Sequence, residues 1–267
     1  MQRQSNNFCP KFTDEECIAT YLWGIYNQKF NAKDCYRFIK DFYKNWFPNL
    51  PSYQAYNKRI CYLADAFKGL ADISLNNIGL DNSHSDFLID SMPIILANSK
   101  RCNKAKIAPN LCSKGYCASK GIYYYGIKLH TLAQCNFKAM STPASVMISK
   151  ASEHDLTIGK EILEGITNIR VFGDMAFSSE EWQTRMFFEN NVEIITPIKR
   201  TKNKKKLSFW EKTFSQAVSG IKQAIESLNN WLIEKTNIQR ASKVRSEAGL
   251  ISFVFARVAC VCLCFKC

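Results

Sequence analysis

Histidine is nearly absent, with three in 267 residues, too few to carry the chemistry alone. Acidic side chains are short too: 23 Asp and Glu stand against 36 Lys and Arg, a formal net charge of +13. No GxxxxGK[ST] sequence occurs, so no nucleoside triphosphate site is visible. The opening MQRQSNNF has no apolar core, which argues against a secretory signal. The twelve cysteines are therefore expected to be reduced thiols of a cytoplasmic protein rather than a disulfide framework. Cys102, Cys112 and Cys117 are irregularly spaced and have no nearby histidine pair, which argues against zinc. No internal repeat or long low-complexity segment appears. The apolar run from Ala248 to the cysteine-rich end is interrupted by Arg257; it is too short and too charged for a membrane span and reads as a buried terminal helix.

The basic excess points to a polyanionic partner, nucleic acid ahead of an anionic membrane. The length allows a full core and a small accessory domain. Residues 1–80 read as helical. Thr13 precedes three acids and then Ile18, Leu22 and Ile25 at helical spacing, the pattern of a capped helix. Ala32 to Phe47 reads as a second helix, and Ser52 caps a third that runs past Tyr62 to Phe67. Such helices could form a helix-turn-helix DNA reader or a plain helical cap.

From about residue 85 the pattern turns to strands. Segments 86–97, 121–133 and 137–145 read as strands, the last two paired across a turn near Cys135-Asn136. SEHDLTIGKEILEGI reads as a helix, IRVFGDMAF as a buried strand ending at Gly173-Asp174, SSEEWQTRMFFENN as a serine-capped helix and VEIITPIKR as another strand. A final helix begins at Phe214. This order predicts an α/β fold with a mixed sheet flanked by helices, residues 81–267 following a small helical N-terminal domain. The stretch KRTKNKKKLSFWEK, with Lys199, Arg200, Lys202, Lys204, Lys205 and Lys206, is either a solvated loop or a phosphate contact.

Asp90 interrupts the apolar run DFLIDSMPIIL, where an unpaired carboxylate costs several kcal/mol. Asp174 follows another apolar segment in the same way. Each could simply begin a turn. Converging at one sheet edge, the two could instead hold a pair of hard divalent cations, for which magnesium is suited, and two such ions can clamp the attacking and leaving oxygens of a phosphoryl displacement. In the final helix Phe214, Val218, Ile221, Ile225, Leu228 and Leu232 form an apolar stripe. Glu226 lies off it with Lys222 one turn earlier, and spacing does not select it over Glu234. His130 reads as a core histidine or a near-site group, His154-Asp155 as a helix cap, and Tyr123 to Tyr125 as packing or a base-stacking surface.

FLIDSMPIILANSKR, GIYYYGIKLH, SEHDLT, VFGDMAF and IKQAIESLNNWLIEKTNIQRASK together resemble the DDE transposases of bacterial insertion sequences, most closely insertion-sequence family 982. The resemblance runs from about residue 50 onward. It implies a ribonuclease H-like core with Asp90, Asp174 and Glu226 as the metal-binding triad for two Mg2+ ions, Mn2+ being the alternative. It also implies that His130 and the His154-Asp155 pair lie near the site, and that Lys128, Lys222 and the Lys199–Lys206 run contact phosphates. The implied partners are the element's terminal inverted repeats and target DNA, bound by a homodimer, with no membrane. The family usually has arginine where this chain has Lys222, and its later basic residue falls at Ile233 here, with Lys235 close by. The implied activity is cleavage at the element's end followed by strand transfer. A nuclease of the same fold without strand transfer, or a decayed copy that only binds DNA, are the rival readings.

Overall fold

The computed structural model describes residues 10–80, 85–118, 120–136, 139–199 and 206–265. In chain order its elements are α1 (Asp14–Tyr26), α2 (Ala32–Phe42), α3 (Tyr53–Tyr62), α4 (Ala64–Asn76), β1 (Asp86–Asn98), β2 (Ser113–Cys117) and β3 (Ile122–Gln134). There follow β4 (Thr142–Lys150), α5 (Asp155–Ile162), β5 (Ile169–Phe172), α6 (Glu180–Asn190), β6 (Val192–Ile195), α7 (Phe209–Thr236) and α8 (Glu247–Cys264). Contacts divide the chain into two compact units. A helical unit comprises Met1–Ile78, Ile94–Leu111 and Trp231–Cys267; a sheet unit comprises Gly79–Pro93 and Cys112–Asn230. The sequence places one boundary near residue 80, whereas the contacts assign 94–111 and 231–267 to the unit of the first four helices.

Local chemistry starts the helical unit as expected. The Thr13 hydroxyl accepts from the Glu16 N–H at 3.1 Å and the Glu16 carboxylate accepts from the Thr13 N–H at 2.6 Å, a reciprocal cap for α1. The second helix ends at Phe42, five residues early, and the third breaks at Leu63. That bend lets Tyr56 and Ile60 before it and Phe67 and Ala71 after it all be buried. Helix α8 is buried over most of its length, and 67% of its apolar window is inside the protein. Contrary to the expectation from sequence, it is by length and composition alone the one helix among the described residues long and apolar enough to cross a membrane, and it is buried as a core helix is. Arg257 in its middle is fully buried, donating to the carbonyls of Thr236 (3.0 Å), Phe253 (2.9 Å) and Phe30 (2.6 Å) and to the Tyr21 hydroxyl (3.4 Å).

The sheet unit is built on a mixed sheet in the order β2-β3-β1-β5-β6. β1, β5 and β6 are parallel, while β2 and β4 both run antiparallel to β3, on its residues 122–126 and 127–134. The fourth strand therefore runs five residues later than its sequence pattern suggested. Its turn is longer because the Asn136 side chain ties Met140 O (2.8 Å) and Thr142 Oγ1 (2.9 Å) together. β2 has no sequence counterpart above: SKGYC lacks alternation, and Gly115 is needed because a Cβ there would lie 2.4 Å from the Ala151 carbonyl oxygen. α7 begins five residues early because Ser208 and Glu211 cap it reciprocally.

Alternation along β1 decides what each face meets. Ile89 joins Val171, Ile194 and Leu132 in a core covered by Leu163, Trp182 and Met186 from the α5 and α6 region. Asp90 faces the other way, toward α7, whose Asn229 bonds it. Helices thus flank the sheet on both faces.

Candidate active site

Register brings the two aspartates together. β1 and β5 pair in parallel with Leu88 opposite Phe172, and Asp90 and Asp174 each lie two residues further on. Neighbouring strands are about 4.8 Å apart, so equal steps from one register pair place both carboxylates at one end of the strand pair, on one face. Asp90 is still inside β1, and Asp174 has left β5 and starts a short 3-10 turn. Gly173 allows that exit, since a Cβ there would come within 2.9 Å of Ile89 Cγ2.

α7 supplies the opposing surface. Lys222, though buried, pairs its ammonium with Asp174 rather than with Glu226, its expected helical neighbour. Asn229 Nδ2 donates to Asp90 Oδ2 at 2.9 Å, leaving its own Oδ1 buried without a partner. Seven residues apart, these two side chains differ by about 20° around the helix axis, so one face of α7 meets both aspartates. Glu226 lies about 40° round from Lys222 and about 60° from Asn229, on the flank of that face. Its side chain is exposed, yet its charge is felt at Asp90. The helix stripe is narrower than its sequence suggested: Val218, Ile225, Leu228 and Leu232 are buried, whereas Phe214 and Ile221 are exposed.

The Asp90 carboxyl is pushed up to about 6, first by burial and then by the negative charges of Asp174 and Glu226. The Lys222 ammonium works against this, followed by a bond from the Ser91 backbone. Among the described residues no three His, Cys, Asp or Glu side chains lie close enough to hold a metal ion in this arrangement. The positive charge beside the two aspartates is that of Lys222.

Among the other expected site residues, Lys128, His130 and Asp155 interact with one another. Lys128 Nζ donates to Asp155 Oδ1 and to the Glu153 carbonyl, each at 2.8 Å, so it braces the start of α5. His130 is fully buried, with Nε2 2.8 Å from Ser149 Oγ and Nδ1 unpartnered. Burial lowers it to about 4, against a raising effect of Asp155 and with a further lowering by Lys128, so it is neutral at ordinary pH. His154 caps α5, its Nδ1 accepting from the Leu156 N–H at 3.3 Å. Tyr124 and Tyr125 are buried and Tyr123 is exposed beneath the Lys114 ammonium. Lys199 and Lys206 are exposed; Arg200, Lys202, Lys204 and Lys205 lie outside the described residues. Sequence reasoning missed Asn229, whose only signal is its place seven residues after Lys222.

No curated protein matches the chain. Residues 82–246, more than half of the sequence and the part that contains Asp90, Asp174, Lys222, Glu226 and Asn229, match the family described as transposase DDE domain. By that match the chain belongs to the DDE transposase family.

Proposed function

We propose that this transposase belongs to a bacterial insertion sequence of family 982, with a ribonuclease H-like catalytic domain. In this reading it works in the cytoplasm as a homodimer on double-stranded DNA, cutting the element's terminal repeats and joining them to target DNA. The observation that carries the reading is the equal register of Asp90 and Asp174 beneath one face of α7.

The donor set fits a small hard divalent cation. Two carboxylates share one place and the acceptor oxygen of Asn229 is buried and unpaired, while the Lys222 ammonium now takes the place of a cation beside Asp174. DDE transposase domains generally use a divalent metal. Asp90, Asp174 and Glu226 would hold two Mg2+ ions, with Mn2+ as a substitute. When bound, such ions polarise a phosphoryl oxygen and make water a better nucleophile. Lys222 holds Asp174, and Asn229 orients Asp90 by donating to one of its oxygens. Exposed Lys199 and Lys206, with the basic run between them, meet backbone phosphates.

Each chemical step exchanges one P–O bond for another. In cleavage a water oxygen bonds to phosphorus and the 3′ oxygen leaves. In joining, that 3′ oxygen bonds to a target phosphorus and the target's own 3′ oxygen leaves. The test incubates purified protein with duplex element ends, plasmid and Mg2+. Wild type should cut and join, while Asp90→Asn and Asp174→Asn should bind DNA but not cut it, since neutral amides hold magnesium poorly. Metal-dependent cutting by either variant removes that residue from the site. Cutting by wild type without joining makes the protein a nuclease.

A further inference from the structure

The basic excess is not spread evenly. The helical unit carries 20 Lys and Arg against 9 Asp and Glu, whereas the sheet unit carries 16 against 14, six of those 16 between Lys199 and Lys206. Attraction for a polyanion is therefore concentrated in a unit that lacks the two aspartates.

Within the helical unit a cavity of about 520 Å³ is lined by the start of α2, part of α3, the segment after α7 and the start of α8. Lys33, Arg240, Lys243 and Arg245 line it, and each is exposed. Among the described residues none of the four is paired with a carboxylate. The single acid in the wall, Asp34, is engaged by the Asn31 side chain. Tyr53 and Asn57 add neutral hydrogen-bonding groups.

The segment that displays three of these cations is held in place. Ile95 N–H donates to Gln239 O at 2.8 Å and Ala241 N–H donates to Ile95 O at 2.9 Å, a parallel bridge to the end of β1. Ile238 and Ala241 are buried beneath it. Arg245 Nη1 closes the turn on the carbonyls of Ser242 (2.8 Å) and Val244 (2.7 Å). Four cations around a concave surface, two of them planar arginine forks, match the oxygens of phosphodiesters.

We infer that this cavity is a phosphate-binding site for the backbone of duplex DNA, a proposal that rests on the transposase reading above. Its residues come from both ends of the chain, so DNA affinity depends on residues 240–245 and not on the N-terminal helices alone.

The test measures binding of full-length protein to a labelled short duplex by fluorescence anisotropy, in EDTA, across a salt series. Arg240→Gln/Lys243→Gln/Arg245→Gln should flatten the log–log salt dependence by up to about 2.7, roughly 0.9 for each lost contact. Arg240→Lys/Arg245→Lys should keep the wild-type slope, as should Lys40→Gln/Lys44→Gln/Lys68→Gln, which removes three exposed charges that do not line the cavity. Lys243→Gln alone, with a fall of about 0.9, keeps the test valid if the triple variant loses its fold. An unchanged slope in the cavity variants, or an equal fall in the control, overturns the site while leaving the transposase reading intact. Wild type that binds no duplex at all overturns that reading and the cavity with it.

Discussion

Arg257 offers the sharpest energetic test of the helical unit. Its guanidinium is fully buried in the middle of an apolar helix, and its partners are three carbonyls, a hydroxyl and the Phe253 ring, 3.5 Å from the guanidinium carbon. Phe253 is four residues earlier in the same helix, so its carbonyl keeps a backbone donor when the side chain is removed. Thr236 O is different, because it ends α7 and has no later helical N–H to accept. Phe30 O lies in the loop before α2. Arg257→Met fills similar volume but orphans these two oxygens, at about 1–3 kcal/mol each. Relief from burying a charge offsets part of this. The expected net loss is about 3 kcal/mol, or roughly 6–12 °C in melting temperature for a protein of this size. Arg257→Lys should fall between, because one ammonium cannot span the positions reached by the fork. Urea and thermal unfolding of the purified variants measure this. A methionine variant within about 0.5 kcal/mol of wild type, the range of ordinary surface substitutions, would refute the claim that Arg257 satisfies carbonyls that nothing else reaches.

His130 is held neutral at about 4 in the fold, below its ordinary value of 6.5. Its contribution to stability is thus complete above pH 6.5 and is lost as pH falls through 6.5 toward 4, by about 3 kcal/mol in all. His130→Gln should remove that part of the acid dependence, and an identical pH profile in wild type and variant would contradict the assignment. On the proposed two-metal reading, Asn229→Ala should raise the Mg2+ concentration needed for cleavage, with activity down by about 10–100-fold, because a group that orients a proposed metal ligand is lost; recovery at high Mg2+ separates this from misfolding. Glu226→Gln should cost several orders of magnitude in cleavage while Glu234→Gln stays near wild type, since Glu234 lies about 12 Å further along the helix axis. Equal activity of the two variants would remove Glu226 from the proposed triad.

The fold was legible where local signals agreed. Thr13 caps α1, the strand expected over 121–133 forms β3, though buried along most of its length rather than alternating, and Gly173-Asp174 ends β5, all near their expected positions. It was illegible where long-range contacts decide. β2 has no apolar alternation in its sequence, and it exists because β3 offers an edge and Gly115 allows close approach to Ala151. Membership of the C-terminal segment in the helical unit depends on packing along α8, to which no local pattern points. Asp90 and Asp174 were visible as carboxylates beside apolar runs, but their common register needed the β1–β5 pairing.

Two buried cations show how the site differs from the scaffold. Lys222 and Arg257 both interrupt buried helix faces, and by periodicity alone each looks like a defect. Arg257 is surrounded by backbone carbonyls of elements that have to meet there, so its charge serves packing. Lys222 instead meets Asp174, a carboxylate more than half exposed, and its charge also lowers the proton affinity of Asp90. A carboxylate that open to water does not need a buried partner for solvation. A strand-end acid held by a buried lysine, beside a second acid held by an amide from the same helix face, is costly for stability alone. The arrangement makes physical sense as a surface on which negative charge is gathered and kept ready for cations. That is why the polar interruptions of α7, and not those of α8, mark the face on which the chemistry is proposed to occur.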